Sequence, residues 1–183
     1  IALASSENGS SVGQFSADWS REHMLDVGGD AVRRWPWSPT GSAPGVTGDV
    51  VWDNKQQMGF LTFAGLEANS PLRHQYQLWI VDSARDERYP VDGGVFDVPA
   101  AAGPVVIPVR ATVPVREPLA FVVTVEKPGG AVVSGRERVV AVHAQGGARD
   151  AARAATLRRR RPVEERQVSA GAAFAVGIKQ VIR

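Results

Sequence analysis

The feature that most constrains the fold is an alternation that ends abruptly: Phe121-Val122-Val123-Thr124-Val125-Glu126, followed at once by Lys127-Pro128-Gly129-Gly130. A period of two places Phe121, Val123 and Val125 on one face of a strand and Val122, Thr124 and Glu126 on the other. β-Branched and aromatic side chains favour such a pleated surface, and proline followed by two glycines breaks it. We read the Phe121 set as inward, with a hairpin leading into a further strand at 136–142.

The same pattern of short apolar runs bounded by turn residues begins at Asp49. It predicts strands near 49–53, 58–64, 75–82, 94–98, 104–110, 118–126 and 136–142, an all-β fold built as an antiparallel sandwich of about seven strands. Leu61 and Phe63 share a face with Gly59. In the third strand, Tyr76, Leu78 and Ile80 oppose Gln75, Gln77, Trp79 and Val81, so both faces carry large groups. That strand is expected to lie centrally, with Trp79 covered by a loop or a neighbouring element; the alternation leaves open which face is core. Trp52, Tyr76, Trp79 and Phe96 read as core-filling aromatics.

The flanks differ from this body. Residues 5 to 16 have the Ser/Gly/Asn-rich composition of a linker, and a short helix is expected from Asp18 to Val27, with Trp19, His23, Met24 and Val27 on one face and Gly28-Gly29 as the stop. Trp35-Pro36-Trp37-Ser38-Pro39 must be extended, because proline fixes its own φ and displaces its predecessor from the helical region. After the last strand, Ala148 to Arg161 is Ala/Arg-rich and helix-compatible until Pro162. The expected organisation is therefore a linker with a short helix over 1–45, a β-sandwich over 46–142, and a basic tail over 143–183 outside the fold. Up to Val142 there are 12 Lys and Arg against 16 Asp and Glu, whereas the remainder has 9 against 3. The basic character belongs to the tail, so the body is not read as a nucleic-acid surface.

Little in the chain is arranged for chemistry. It has no cysteine, which removes disulfides and thiolate chemistry, and its three histidines show no metal-ligand spacing. Phosphate-binding loops, dinucleotide fingerprints and nucleophile elbows are missing from the sequence, so no enzyme activity and no cofactor are expected. The densest polar cluster, Asp82 to Arg88, has carboxylates for a hard cation but also two arginines that neutralise them, and reads as a solvated loop. Asn8-Gly9-Ser10 fits the glycosylation pattern, and the run Arg158-Arg159-Arg160-Arg161 suits anionic surfaces, though both read first as solvated segments. No stretch reaches the roughly 18 apolar residues that span a bilayer. Ile1-Ala2-Leu3-Ala4 reads as the trailing end of an apolar segment lying upstream.

Taken in order, Gly48-Asp49-Val50-Val51-Trp52, Met58-Gly59-Phe60-Leu61, Gly65-Leu66, Tyr76-Gln77-Leu78-Trp79, Asp92-Gly93-Gly94-Val95-Phe96 and Val123-Thr124-Val125-Glu126-Lys127-Pro128-Gly129-Gly130 resemble the C-terminal domain of anti-sigma-K factors over about residues 46–142. The wording from Asp82 to Val98 is most similar to versions from planctomycete-type bacteria. Trp52, Tyr76, Leu78, Trp79, Gly93, Gly94, Phe96, Thr124, Glu126, Pro128, Gly129 and Gly130 are the motif positions, expected to be structural rather than catalytic or metal-binding.

The resemblance implies a layout. A cytoplasmic segment preceding this chain would hold an extracytoplasmic-function sigma factor, one helix would cross the inner membrane, and the present domain would lie on the periplasmic side. Intramembrane-proteolysis machinery would be a further partner, releasing the sigma factor; no direct contact with nucleic acid is implied. The competing expectation is an exported β-sandwich module that binds a polysaccharide or protein, with Trp35, Trp37 and Trp79 as a stacking surface. The tail departs from the family pattern, which ends near the last strand.

Overall fold

The structure is a computed structural model describing residues 8–144 apart from 134, 136 and 137, with helix side chains described from residue 16. Helix α1 (Asn8–Val27) and a short 3-10 turn (Gly29–Ala31) precede eight strands: β1 (Val32–Pro36), β2 (Thr47–Asp53), β3 (Met58–Ala64), β4 (Gln75–Asp82), β5 (Val91–Phe96), β6 (Val105–Arg110), β7 (Pro118–Glu126) and β8 (Val139–Ala144). They form two four-stranded sheets, ordered β1-β2-β3-β6 and β5-β4-β7-β8, with every pairing antiparallel. The all-β sandwich read from the sequence is the observed fold. The tail from 145 onward, including the Ala148 to Arg161 stretch and the four-arginine run, lies outside the described residues, as do residues 1–7.

The alternation resolves into layers. Val50 and Trp52, Leu61 and Phe63, Tyr76, Leu78 and Ile80, and Phe121 and Val123 meet between the sheets, as expected for the Phe121 set. This settles the open question about β4: its Tyr76 face is the core. Trp79 and Val81 point the other way and join Ala120, Val122, Val142 and Ala144 in a second cluster on the outer face, with Ala131 and Leu119 packed against it. Two buried faces leave a strand without polar alternation, which is why 78–81 reads as a continuous apolar run.

The last strand is Val139–Ala144 rather than 136–142, so residues 143 and 144 belong to the sheet and not to the expected tail, and the helix, β5 and an added strand also differ from the sequence reading. The helix starts at Asn8 rather than Asp18, because helix formation extends through the Ser/Gly-rich stretch once its later turns are docked. Its packed face is also different: Ala17, Met24 and Leu25 lie with Val51, Phe60, Val106 and Met58, whereas Trp19 is 68% exposed, stacked on His23, and Val27 faces solvent. Burial of Arg21 fixes this rotation, and a hydrophobic count cannot find it. β5 runs from Val91 to Phe96 rather than over 94–98, so Asp92 and Gly93 also lie within the strand. The additional strand is β1, whose Val-Arg-Arg-Trp-Pro sequence lacks apolar alternation because it is an edge strand with little to bury.

Candidate functional site

The motif positions do not gather into a catalytic constellation; they divide between the core and one polar network on sheet β5-β4-β7-β8. Trp52, Tyr76, Leu78 and Phe96 are core side chains. The Tyr76 ring lies 5.7 Å from Phe96 and its hydroxyl donates to the Glu67 carbonyl at 2.9 Å. Burial raises the phenol's pKa, so it stays a neutral donor. On the outer face, Trp79 Nε1 donates to Thr124 Oγ1 at 3.0 Å, and that hydroxyl donates to Glu126 Oε1 at 2.7 Å. Thr124 is fully buried, so its hydroxyl is committed on both sides.

The turn after β7 is held by two glutamines of β4. Gly130 N–H closes the turn on the Lys127 carbonyl at 2.9 Å, beside the exposed Pro128. Gly129 N–H donates to Gln75 Oε1 at 2.9 Å and Ala131 N–H to Gln77 Oε1 at 2.8 Å. Gln77 Nε2 then donates to the Ala131 carbonyl and to Asp92 Oδ1, which also takes the Gly94 N–H at 2.8 Å. Gly130 has φ +77° and a Cβ there would sit 2.5 Å from Val95 Cγ2; at Gly93 a Cβ would meet Leu78 Cδ2 at 2.6 Å. The quoted motifs Tyr76-Gln77-Leu78-Trp79, Asp92-Gly93-Gly94 and Lys127-Pro128-Gly129-Gly130 are thus three sides of one joint. Gln77 and Asp92 hold it, and sequence reasoning did not single them out; a glutamine on the same strand face as Trp79 was the available signal.

The Asp82 to Arg88 cluster has a structural arrangement. Asp82 accepts the backbone N–H groups of Ala84, Arg116 and Glu117 at 2.9–3.0 Å, tying the end of β4 to the entry of β7. Burial would raise its pKa, but those amides and the nearby Arg85 hold it below the ordinary value. Asp86 pairs with Arg88, which lowers the carboxylate to about 2.

Helix α1 is fastened to the sandwich by charge. Both oxygens of Asp49, on β2, accept from Arg21 Nη2 at 2.8 and 2.7 Å, and Arg34 Nε donates to the same carboxylate at 2.6 Å. Burial pushes Asp49 upward, and the two guanidinium groups more than reverse it, so its pKa lies below the usual 3.8. Arg21 and Asp49 are both buried, whereas the Arg34 side chain is largely in water. Neither partner stood out in the sequence, since nothing in the chain pattern relates residues 28 positions apart.

A cleft of about 1170 Å³ opens where the edges β1 and β8 approach each other, lined by residues including Arg33, Trp35, Trp52, Lys55, Arg116 and His143. The edges touch through Ser38 N–H to the Val142 carbonyl at 2.7 Å, and Trp35 wedges between them, 5.4 Å from Phe121 and 5.5 Å from His143. His143 Nδ1 donates to the Pro36 carbonyl at 3.2 Å, leaving Nε2 as a buried acceptor without a partner among the described residues. Burial lowers the imidazole's pKa and keeps it neutral near pH 7. The expected stacking surface is not assembled: Trp37 is buried against Phe63, Trp79 is buried in the outer cluster, and Trp35 alone of the three borders the cleft.

Among the described residues, no helix is long and apolar enough to cross a membrane, and no group of three or more candidate ligands is placed to hold a metal ion. A family model described as "Anti-sigma-K factor rskA, C-terminal" matches residues 11–139, taking in α1 and the first seven strands. No curated protein and no solved structure matches the chain.

Proposed function

The chain belongs to the anti-sigma-K factor C-terminal family, a regulatory rather than catalytic family, and from that membership we propose that it is the outer, periplasmic domain of a single-pass, membrane-anchored anti-sigma factor. A sigma factor is the partner the family implies. In this reading it is held by a cytoplasmic segment upstream of the chain, and proteolysis near the membrane releases it. The single observation that supports a coupling role is the docking of α1: the segment leading into the sandwich is clamped to β2 through Arg21 and Asp49. A change in the sandwich is therefore transmitted to the segment before it, and loosening of that clamp makes the helix backbone available to a protease. The motif positions, including Trp79, Thr124 and Gly130, serve this function by keeping the sandwich rigid.

The test uses the full-length protein and the sigma factor encoded beside it. Full-length protein captures the sigma factor, and deletion of residues 46–142 changes its proteolytic stability while leaving capture intact. A phosphatase reporter fused after Ala144 is active only if this point lies outside the cytoplasm. Stoichiometric capture of the sigma factor by residues 1–183 alone would overturn the division of roles.

A further inference from the structure

The outer face of sheet β5-β4-β7-β8 is buried although no described helix or strand lies on it. Trp79 and Val81 of β4, Ala120 and Val122 of β7, and Val142 and Ala144 of β8 form its apolar cluster, with Trp79 only 3% exposed and Val122 wholly buried. Neighbouring strands flank such side chains but leave their upper sides open to water unless a further layer covers them. Among the described residues, the apolar side chains packed against the cluster are Leu119, from the same sheet, and Ala131. Ala131 N–H bonds Gln77, toward the Gln75 end of β4, whereas Val81, Ala120 and Ala144 lie toward the other end. Helix α1 is not the cover, because it packs on the opposite sheet against Val51, Phe60 and Val106.

The chain itself supplies the nearest cover. Ala144, the last described residue, is a member of the cluster, so the segment that follows starts at the edge of this face. Gln145-Gly146-Gly147 permits a tight turn, and Ala148 to Arg161 is a helix-compatible stretch closed by Pro162. On a helical period, Ala148, Ala151, Ala152 and Ala155 fall at i, i+3, i+4 and i+7 on one stripe, with Arg149, Arg153 and Arg160 on the opposite side. Asp150 stands in the first turn and Arg158 to Arg161 in the last, the charge order that suits a helix dipole. Such a helix is about 21 Å long, against roughly 20 Å for the six residues of β8. We propose that residues 148–161 dock as a helix on this face, with the alanine stripe on Trp79, Val122 and Val142 and the arginines toward water. An alanine stripe lets the helix approach closely where Trp79 already supplies the bulk. The sandwich then carries a helix on each sheet, and the basic charge of the tail becomes a surface of the domain. A second copy of the chain is the competing cover, but the tail is tethered to the face and a second copy is subject to dilution.

The chain has no cysteine, so Ala120→Cys places a single thiol in the floor of the docking face. In residues 1–183 that thiol reacts slowly with a maleimide, and adding Ala152→Glu or Ala155→Glu, which puts a carboxylate in the alanine stripe, speeds the reaction at least about tenfold. Arg153→Gln changes the net charge by the same amount on the opposite stripe and leaves the rate unaltered. Hydrogen exchange on the cysteine-free protein gives a second readout that holds even if Ala120→Cys fails to fold. Amides over 148–156 are protected in the parent and lose that protection in Ala152→Glu, while those of β4 and β7 keep theirs. Both readouts are the same at about 100 µM and about 1 µM protein, as an intramolecular contact requires. Truncation after Ala144 uncovers the whole face and can prevent folding, so the point variants in the full chain carry the test. Rapid labelling of the parent thiol, unprotected exchange over 148–156, equal responses to Ala152→Glu and Arg153→Gln, or protection that is lost on dilution, the mark of a second copy, would each overturn the assignment.

Discussion

Replacing Arg21 by methionine tests the docking of α1 most directly, because it removes the charge while keeping an apolar stem on the packed face. Asp49 is then left buried beside Arg34 alone, whose side chain is 62% exposed and supplies only a screened interaction. Breaking a buried pair from one side typically costs about 3–5 kcal/mol; the surviving Arg34 contact puts the expectation at the low end, about 3 kcal/mol. Asp49→Leu leaves Arg21 with only the exposed Glu22 carboxylate and costs a similar amount. The double variant Arg21→Met with Asp49→Leu restores an apolar contact continuous with Met24, Val51 and Phe60, and is expected within about 1 kcal/mol of the parent. Urea unfolding followed by circular dichroism gives the global values. With a slope of roughly 2 kcal/mol per molar, each single variant shifts the midpoint down by about 1.5 M. Hydrogen exchange over residues 17–27 reads the same coupling locally if the helix detaches before the sandwich unfolds. Additive single and double effects in both measurements would refute the claim that the pair fastens the helix.

Phe121→Ala removes a core ring beside Trp35 and Trp52 and is expected to cost about 3–5 kcal/mol, whereas Thr124→Ala orphans the Trp79 N–H and costs about 1–3 kcal/mol; equal losses in denaturant titrations would put the strand faces in doubt. Gly130→Ala meets both a positive φ and the Val95 side chain, while Gly129, with φ +83°, has open space around a Cβ, so melting temperature should fall further for Gly130→Ala than for Gly129→Ala. For pH, the sign follows from depressed groups, His143 at the higher end and carboxylates such as Asp49 and Asp82 below it. His143 is lowered from 6.5, so its contribution is complete above that value and is lost as pH falls through its folded pKa; Asp49, lowered from 3.8, loses its own below about pH 4. Stability therefore declines on acidification in two stages, and His143→Gln should flatten the first in a series of unfolding curves from pH 7.5 to 5.

The strands were legible because β2, β3, β4 and β7 carry apolar side chains in a period that only a sheet explains. The hairpin after Glu126 was legible because Pro128-Gly129-Gly130 permits little else. What escaped depended on distant partners. Val32–Pro36 has no periodic signal, and its strand character comes from pairing with Thr47–Asp53. The orientation of α1 is set by an arginine and an aspartate that attract each other only after β2 is in place. The expected strand starts at 94, yet β5 begins at Val91 and takes in Gly93, where a Cβ would meet Leu78. The joint formed by Gln77, Asp92 and the Gly130 turn was visible as three separate motifs, and only the sheet order brings them together.

The attachment of α1 also has a mechanical meaning. Tension applied to the N-terminal side of the helix reaches Ala17, Arg21 and Met24 before it reaches any strand, and it acts on contacts that lie along one helix face. Such contacts yield one after another, each under the full load, whereas the strands of β2 and β3 are joined side by side and share it. The sandwich can thus stay folded while its leading helix is pulled away, because the Arg21 to Asp49 contact lies outside the strand ladders that share the load.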